Sequence, residues 1–280
     1  MKFEKWGAAR LVLGPGPLGR SMVLDYPSWD VFLKAGEVKT IKQGKSTSVY
    51  TWTPLRSHEP ELGRTGAGLL WRGPDQASLV MKFYRTLLFP VWWPWLCGRP
   101  KRVWPIGTGL ERAAGPVPAH AALVRPGSGV EVIVTEYLGG AVTFYAFVTA
   151  GQATEAHFDA LGRLLGRLHR LGVVHGDMKW SNIMVTCAGG HEGIRFWLVD
   201  LDGAFRFTGA GPEARARDVA RFMCDAMKEG VAEVLLAAFR QGYHQDWPRD
   251  DGLEREIDRR LGSLLKKKGL LGVWHRQGAF

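Results

Sequence analysis

The chain has 280 residues, 46% of them hydrophobic and 23% charged, which is ordinary for a globular protein of one large domain or two lobes. A net charge of +10 favours an anionic partner, such as nucleic acid, a phospholipid surface or a phosphorylated substrate, over solubility alone. Three cysteines without a CxxC pair argue against a zinc site or a disulfide framework and fit a reduced, cytoplasmic compartment.

Strand patterns dominate the first third of the chain. Alternating or β-rich runs predict strands at 37–43 and 48–53, and the turn GKST between them predicts a hairpin. Residues 54–76 are rich in Gly, Pro and charge and are predicted to form a long loop. A third strand is predicted at 78–85, and two more flank the turn PGSG at 126–129.

The stretch LLFPVWWPWLC, residues 87–97, is unusually apolar. It is too short to span a membrane and too rich in proline for a regular helix, and no run of about 18 apolar residues occurs elsewhere. Tryptophan favours the membrane interface, and the cations Arg99, Lys101 and Arg102 that follow suit anionic headgroups. Packing in the protein core is the alternative, and the pattern leaves both open. The tryptophans concerned are Trp92, Trp93 and Trp95.

Beyond residue 138 the pattern becomes helical. Apolar residues at helical spacing predict a helix over 155–172, and short strands are predicted at 182–185 and 195–201. The chain is therefore predicted to have an α+β fold, with a β-rich N-lobe at 1–137 and a helical C-lobe at 138–280. Three further helices are predicted at 213–227, 231–243 and 253–268.

The stretch HGDMKWSN, residues 175–182, concentrates polar side chains directly before a predicted strand. Phosphoryl transfer needs a base for the acceptor hydroxyl, cations for the phosphate oxygens and ligands for those cations. Asp177 can accept the hydroxyl proton, Lys179 can reach the transferred phosphate, and Asn182 can offer its amide oxygen to Mg²⁺. His175 is expected to support the loop rather than to react.

Two more positions fit the same chemistry. Asp200 ends an apolar run, and an ionised carboxylate there needs a partner such as a metal ion. Asp202 lies on the same predicted turn and is the alternative ligand. Lys82 lies among apolar residues of the strand predicted at 78–85, where a lysine must be paired, and nucleotide phosphates would serve.

These motifs carry a family resemblance. HGDMKWSN resembles the H-x-D-x-x-x-x-N catalytic loop of protein-kinase-like folds, VDLDG resembles their D-F-G metal motif, and VMKFY resembles their V-A-I-K strand. The order of the motifs over residues 37–225, with the details HGDMKWSNI, VDLDGAF and RARDVARFM, is similar to the bacterial lipopolysaccharide core kinases, the Kdo and heptose kinase family. The resemblance implies a two-lobed protein-kinase-like fold that binds ATP and Mg²⁺.

The resemblance also implies roles for particular residues. Asp177 would be the catalytic base, and Asn182 and Asp200 would hold Mg²⁺. The segment VTEYLG resembles the hinge, so the backbone of Glu136 and Leu138 would bind adenine. The resemblance implies roles for two further residues. Thr135 would lie behind the adenine, and Asp218 resembles the helix aspartate that braces the catalytic loop.

The phosphate-covering loop departs from the family pattern, because KQGKSTS contains a single glycine, Gly44. Backbone N–H groups and the hydroxyls of Ser46, Thr47 and Ser48 would hold the phosphates instead, and Lys45 would add charge. No A-P-E motif is visible, which argues against a regulated eukaryotic-type protein kinase.

The helix glutamate that pairs with the strand lysine in this family is also hard to place. Glu111 is the candidate to pair with Lys82. It lies on a segment that Pro105, Gly107 and Gly109 are expected to break.

The sequence therefore predicts an ATP-dependent kinase that phosphorylates a hydroxyl of heptose or Kdo in the lipopolysaccharide inner core. Its expected partners are that sugar and an anionic membrane surface, at the inner face of the cytoplasmic membrane, and not nucleic acid. The alternatives are a small-molecule phosphotransferase of the aminoglycoside type, an atypical protein kinase and a nucleotide-binding pseudokinase. The basic charge disfavours cationic antibiotics as substrates, and the intact set of Asp177, Asn182 and Asp200 disfavours a pseudokinase.

Overall fold

The computed structural model of the chain divides into two compact units, Met1–Gly139 and Gly140–Phe280. Within the part that it describes, no helix is both long enough and apolar enough to cross a membrane. The tryptophan strip at 87–97, most of the loop predicted at 54–76, and Lys45 and Ser46 lie outside the described residues. The described residues are 4–44, 47–55, 78–85, 99–127, 129–187, 193–206 and 211–270.

Unit 1 is built on a seven-stranded antiparallel sheet. The strands predicted from alternation in the first half of the chain are confirmed, and two more precede them. The strands are β1 (Glu4–Trp6), β2 (Ala9–Leu13), β3 (Gly36–Gln43), β4 (Thr47–Pro54), β5 (Leu79–Arg85), β6 (His120–Gly127) and β7 (Val130–Glu136). Their order across the sheet is β1-β2-β6-β7-β5-β4-β3.

The register of this sheet fixes where the predicted nucleotide-binding residues lie. In the hairpin of β3 and β4, Gln43 pairs with Ser48, so Gly44 and Thr47 lie at the tip. On β5, Lys82 lies opposite Val49 of β4 and Ile133 of β7, away from the edges of the sheet.

Within the described part of unit 1, three helices accompany the sheet: α1 (Pro17–Asp25), α2 (Trp29–Lys34) and α3 (Arg99–Arg112). The sequence pattern indicated strands alone near the N-terminus, so α1 and α2 were missed. Buried aromatic residues hold α2: the rings of Phe32 and Trp52 stack with centroids 4.4 Å apart. The Trp52 indole N–H donates to the Phe32 carbonyl at 3.0 Å, so the buried polar group is satisfied.

Helix α3 corrects the expectation that its glycines and proline would break the segment. The helix continues through Pro105, and Gly107 is required because a Cβ atom there would lie 2.1 Å from Nε2 of His120. Tertiary packing on β6 thus overrides the low helix propensity. On the last turn, Glu111 accepts a hydrogen bond from the His120 backbone N–H at 2.9 Å.

Unit 2 is mainly helical, and all four helices predicted in it are confirmed. Within its described residues, two small antiparallel sheets, one of three strands and one of two, accompany them. The helices are α4 (Phe144–Thr149), α5 (Glu155–Arg170), α6 (Pro212–Lys228), α7 (Glu233–Asp246) and α8 (Asp251–Lys267). The strands are β8 (Val142–Thr143), β9 (Val173–Val174), β10 (Ile183–Cys187), β11 (Ile194–Leu198) and β12 (Phe205–Arg206).

The core of unit 2 is an aromatic cluster that reaches the loop between β9 and β10. Phe222 of α6 stacks on Phe239 of α7 with centroids 4.0 Å apart. Trp180, which belongs to the loop, is fully buried and meets the edges or faces of Phe144, Phe158 and Phe222. Burial of this large side chain anchors the loop in the core.

An ion-pair cluster joins α7 to α8. The carboxylate of Glu254 lies 2.6 Å from Nη1 of Arg240 and 3.0 Å from Nε2 of His244. The hydrogen bond to Glu254 raises the pKa of His244 above its ordinary value. Burial by itself would raise the pKa of Glu254, but His244 and Arg240 outweigh it and hold that pKa below its usual range.

This cluster predicts that stability falls in mildly alkaline solution. The contact of protonated His244 contributes fully below the ordinary histidine pKa of about 6.5 and is lost as the pH rises through the raised pKa of the folded state. At about pH 5.5 the parent should melt about 2 °C above His244→Gln, for a partly buried pair worth about 1 kcal/mol. At about pH 8.5 the difference should vanish, and a constant difference would contradict the assignment.

Candidate active site

His175 links the predicted catalytic loop to the segment before Asp200. Its side chain is fully buried, and its Nε2 lies 3.0 Å from the carbonyl oxygen of Val199. The backbone N–H of Asp177 lies 3.4 Å from Nδ1 of the same ring. A ring that donates from Nε2 and accepts at Nδ1 satisfies both contacts. The ring therefore supports the loop rather than facing an open site.

Three polar side chains contact Asp177. Nζ of Lys179 lies 2.8 Å from Oδ2, and Nε of Arg221, from α6, lies 3.2 Å from Oδ1. Nδ2 of Asn182 donates to the Asp177 carbonyl at 2.9 Å and to Oδ2 at 3.2 Å. The structure thus brings His175, Asp177, Lys179 and Asn182 together, as the sequence predicted, and adds an arginine.

The environment of Asp177 fixes its charge. Partial burial by itself would raise the pKa of the carboxyl group, but the hydrogen bonds and positive charges of Lys179 and Arg221 outweigh burial. The pKa of Asp177 is therefore lower than usual, and the group is an anion at neutral pH. Such a carboxylate can orient a hydroxyl and accept its proton as the oxygen attacks.

The start of the loop is held by Asp218, a fully buried residue of α6. Its carboxylate accepts hydrogen bonds from the backbone N–H groups of His175 at 2.7 Å and Gly176 at 2.8 Å, and it lies 3.3 Å from Nε2 of His169. Gly176 has φ of +78°, and a Cβ atom there would lie 2.1 Å from the carbonyl oxygen of Gly203. Only glycine therefore fits at position 176, where the loop passes close to the backbone of Gly203.

The pairing of β10 with β11 brings the second acidic motif to the loop. Ile183 pairs with Leu198, and the Val199 N–H donates to the Asn182 carbonyl at 3.0 Å, so Asp200 follows directly beside Asn182. Asp200 has φ of 61° and ψ of 57°, which is the left-handed conformation. The strand predicted at 195–201 therefore ends before this residue, at Leu198. With Nδ2 of Asn182 bonded to Asp177, its amide oxygen is the atom left for a cation. An amide oxygen and a carboxylate are ligands that Mg²⁺ prefers.

The residues predicted to bind the nucleotide lie in unit 1. The half-buried Lys82 has Nζ 5.4 Å from the ring centroid of Tyr84 on the same face of β5. The Glu136 N–H donates to the Ala119 carbonyl at 2.8 Å, and Leu138 follows just past the end of β7. Ser48 is buried beside the hairpin tip that holds Gly44 and Thr47.

Sequence reasoning missed residues of α6 that contact the loop. It identified Asp218 in the segment RARDVARFM but not Arg221 or Asp225, whose carboxylate accepts from the Trp180 N–H at 3.0 Å. The three residues follow one another at three- and four-residue spacing, which places them on one face of the helix. That spacing was the signal in the sequence that could have identified Arg221 and Asp225 as residues facing the same side as Asp218.

Comparison with protein families and curated proteins finds several proteins that resemble this chain. The model of the lipopolysaccharide kinase (Kdo/WaaP) family matches residues 111–243. The 3-deoxy-D-manno-octulosonic acid kinase of Xylella fastidiosa strain 9a5c is 32% identical over 142 residues, which are 48% of this chain and 54% of that protein. A probable bifunctional tRNA threonylcarbamoyladenosine biosynthesis protein of Methanosarcina barkeri is 35% identical over 88 residues, 31% of this chain and 15% of that protein. The chain spans about half the length of the Xylella relative.

A solved structure described as WaaP in complex with acyl carrier protein has the same fold. The TM-score is 0.60 at 19% identity, and the match covers 95% of this chain and 99% of that one. The predicted α+β, two-lobed protein-kinase-like fold is thereby confirmed.

Proposed function

We propose that the chain is a member of the lipopolysaccharide kinase (Kdo/WaaP) family, whose model matches residues 111–243, and that it transfers the γ-phosphoryl group of ATP to a sugar hydroxyl of the lipopolysaccharide inner core. We propose further that this sugar is Kdo, 3-deoxy-D-manno-octulosonic acid, rather than heptose. The observation that carries the proposal is the carboxylate of Asp177, held between Lys179 and Arg221 on a loop that Asp218 fixes.

In this reaction the hydroxyl oxygen of the sugar bonds to the γ-phosphorus, the bond from that phosphorus to the bridging oxygen breaks, and ADP leaves. Asp177 accepts the hydroxyl proton, and its lowered pKa keeps it ionised for that step. Lys179 lies close enough to Asp177 to neutralise phosphate oxygens beside it.

Asn182 and Asp200 are the residues that would hold Mg²⁺, which when bound neutralises charge on the phosphate oxygens. In unit 1, Lys82 would bind the nucleotide phosphates, together with the tip of the β3–β4 hairpin. The adenine would meet the carbonyl of Glu136 and the N–H of Leu138, since the Glu136 N–H is already bonded to Ala119.

The charges around Asp177 favour an acidic acceptor. Among the described residues, Arg221 contacts Asp177 through Nε, and its two terminal NH₂ groups meet no acceptor. Those groups suit the carboxylate of Kdo, which a neutral heptose lacks. A cationic aminoglycoside would instead be repelled by Lys179 and Arg221, so the arrangement disfavours that alternative.

Mass spectrometry of the core oligosaccharide tests the proposal in cells. Cells that carry the chain should show a phosphate on Kdo, and cells without it should not. Re-expression of the parent should restore the phosphate, whereas Asp177→Ala should not restore it. An unchanged core in cells without the chain would overturn the proposed function.

Arg221 predicts a shift in the pH dependence of the reaction. Its removal takes a positive charge from Asp177, so the pKa of that carboxyl group should rise. The measurement is the pH–rate profile from about pH 8 down to about pH 4. On acidification, Arg221→Met should lose its activity at a higher pH than the parent does.

The matched control is Arg217→Met, which removes the same charge from an exposed position one helical turn away. Its pH–rate profile should follow that of the parent. An acid limb of Arg221→Met that coincides with the parent would remove Arg221 from the control of the base.

We also propose peripheral binding to the anionic inner face of the cytoplasmic membrane. Helix α3 begins with Arg99, Lys101 and Arg102 and has no acidic residue in its first turn. Cations are unfavourable at the positive end of a helix dipole, so local helix stability does not explain them. An anionic surface would attract them by about 1 kcal/mol for each basic residue.

Vesicle sedimentation tests this binding. Changing the three cations to glutamine should lower partitioning onto anionic vesicles by about a hundredfold at low salt, and high salt should weaken the parent in the same direction. The control variant changes three cations of α8, in unit 2, to glutamine and so removes the same charge. These residues are Arg255, Lys266 and Lys267. Equal losses in the two triple variants would mean that net charge, and not α3, determines binding.

A further inference from the structure

A second carboxylate of α6 holds the end of the catalytic loop. Oδ2 of Asp225 accepts a hydrogen bond from the backbone N–H of Trp180 at 3.0 Å. Its Oδ1 accepts from Nζ of Lys268, the residue that caps α8, at 3.2 Å. One side chain thus connects the loop to the end of another helix.

The backbone N–H group that Asp225 binds lies at the start of a short helical turn. Trp180 begins the short 3-10 turn Trp180–Asn182, so its N–H has no partner within that turn. The N–H of Asn182 donates to the Lys179 carbonyl at 2.9 Å, which closes the turn. Because Trp180 is fully buried, water cannot replace Asp225 as the acceptor.

Helix α6 therefore holds the loop at two points. Asp218 binds the N–H groups of His175 and Gly176 at its start, and Asp225, seven residues along the same helix face, binds Trp180 near its end. The stretch between these points contains Asp177, and the second point lies between Lys179 and Asn182.

Helix α8 determines where Lys268 lies. Its buried residues recur at four-residue spacing, and this stripe packs α8 against α6. Lys268 follows the last of them by three residues and so lies on the side that faces α6. The buried residues are Leu253, Ile257, Leu261 and Leu265.

We propose that Asp225 is a positioning residue for phosphoryl transfer: it sets the segment from Lys179 to Asn182 and couples it, through Lys268, to the end of α8. This inference rests on the proposed function. Loss of the acceptor leaves the Trp180 N–H unsatisfied and frees the turn that places the Asn182 amide oxygen and the Lys179 ammonium group.

Three variants separate the two contacts of Asp225. Asp225→Ala removes both and should lower kcat by about a hundredfold, the scale for a misplacement of about 1 Å, and should raise the Mg²⁺ concentration needed for half-maximal rate. Asp225→Asn keeps an oxygen acceptor for Trp180 and should lose less than about tenfold. Lys268→Met leaves the bond to Trp180 in place and should also lose less than about tenfold.

Amide hydrogen exchange gives a readout that does not depend on activity. In Asp225→Ala the Trp180 N–H should exchange faster, while those of His175 and Gly176, held by Asp218, should keep their protection. Glu213→Gln, which removes an exposed carboxylate from the first turn of α6, should leave both exchange and kcat at parent values.

The outcomes decide between positioning and fold stability. Equal losses in Asp225→Ala and Asp225→Asn would overturn the inference, and so would parent-like protection of Trp180 in Asp225→Ala. If Asp225→Ala does not fold, Asp225→Asn still decides, because it keeps an oxygen acceptor and should retain protection of the Trp180 N–H; loss of that protection in Asp225→Asn would overturn the inference. If the parent protein transferred no phosphate to core sugars, the proposed function would be wrong. The hydrogen-exchange pattern would still test whether Asp225 positions the segment from Lys179 to Asn182.

Discussion

Asp177→Ala is expected to lower phosphoryl transfer by about a thousandfold while leaving ATP binding within a few-fold of the parent. In the proposed mechanism the carboxylate acts on the acceptor hydroxyl, so its loss would remove a contact made during transfer rather than one made to the nucleotide. Lys179 and Arg221 both remain and lose the anion that neutralises them, which favours rather than weakens phosphate binding. Steady-state kinetics together with calorimetric titration of ATP measure the two quantities.

Asp177→Asn is the shape-preserving control. It keeps the size of the side chain but cannot take the proton, so it should be impaired nearly as much as Asp177→Ala. Turnover of Asp177→Asn within about tenfold of the parent would remove proton acceptance by this residue from the mechanism.

Asp218→Ala is expected to lower the free energy of unfolding by about 4 kcal/mol and to abolish activity. The change leaves two buried backbone N–H groups, of His175 and Gly176, without their acceptor, and it removes the contact to His169. Denaturant unfolding at constant pH measures the loss of stability.

Tyr243→Phe is the control within the same network, because it removes only the hydroxyl that lies 3.0 Å from Nδ1 of His169. The expected loss is about 1 kcal/mol, with the loop and the activity retained. A loss of about 1 kcal/mol or less for Asp218→Ala as well would mean that Asp218 does not brace the loop.

Much of the candidate site could be predicted because its residues are close in sequence. The loop from His175 to Asn182 is local, so the types and spacing of its side chains determine which of them can meet. Chain order also placed Asp200 near that loop, since a short β-hairpin joins the two segments. The roles given to these residues remain predictions until the variants are measured.

The contacts from α6 could not be predicted in the same way. Arg221 and Asp225 reach residues more than 40 positions earlier in the chain. Their spacing places them on one helix face with Asp218, but only the packed structure shows that this face meets the loop. Periodicity located the helix, but periodicity does not show which polar residue of its surface meets another element.

Tertiary packing explains the other differences between the expected and the observed fold. Helix α3 continues past Pro105 and Gly107 because His120 packs on the glycine, and α2 forms because Phe32 and Trp52 stack in the core. Both effects depend on strands distant in sequence, which local propensity does not register.

The central claim, transfer of phosphate from ATP to Kdo, is tested most directly with the purified chain, Mg²⁺–ATP and defined acceptors. Lipid A precursors that end in Kdo should yield one equivalent of ADP and a phosphorylated Kdo for each turnover, and Asp177→Ala should yield neither above background. Acceptors that offer only heptose, and an aminoglycoside, should give no product. Transfer to heptose or to the aminoglycoside with none to Kdo, or ADP release that no core sugar stimulates, would contradict the account.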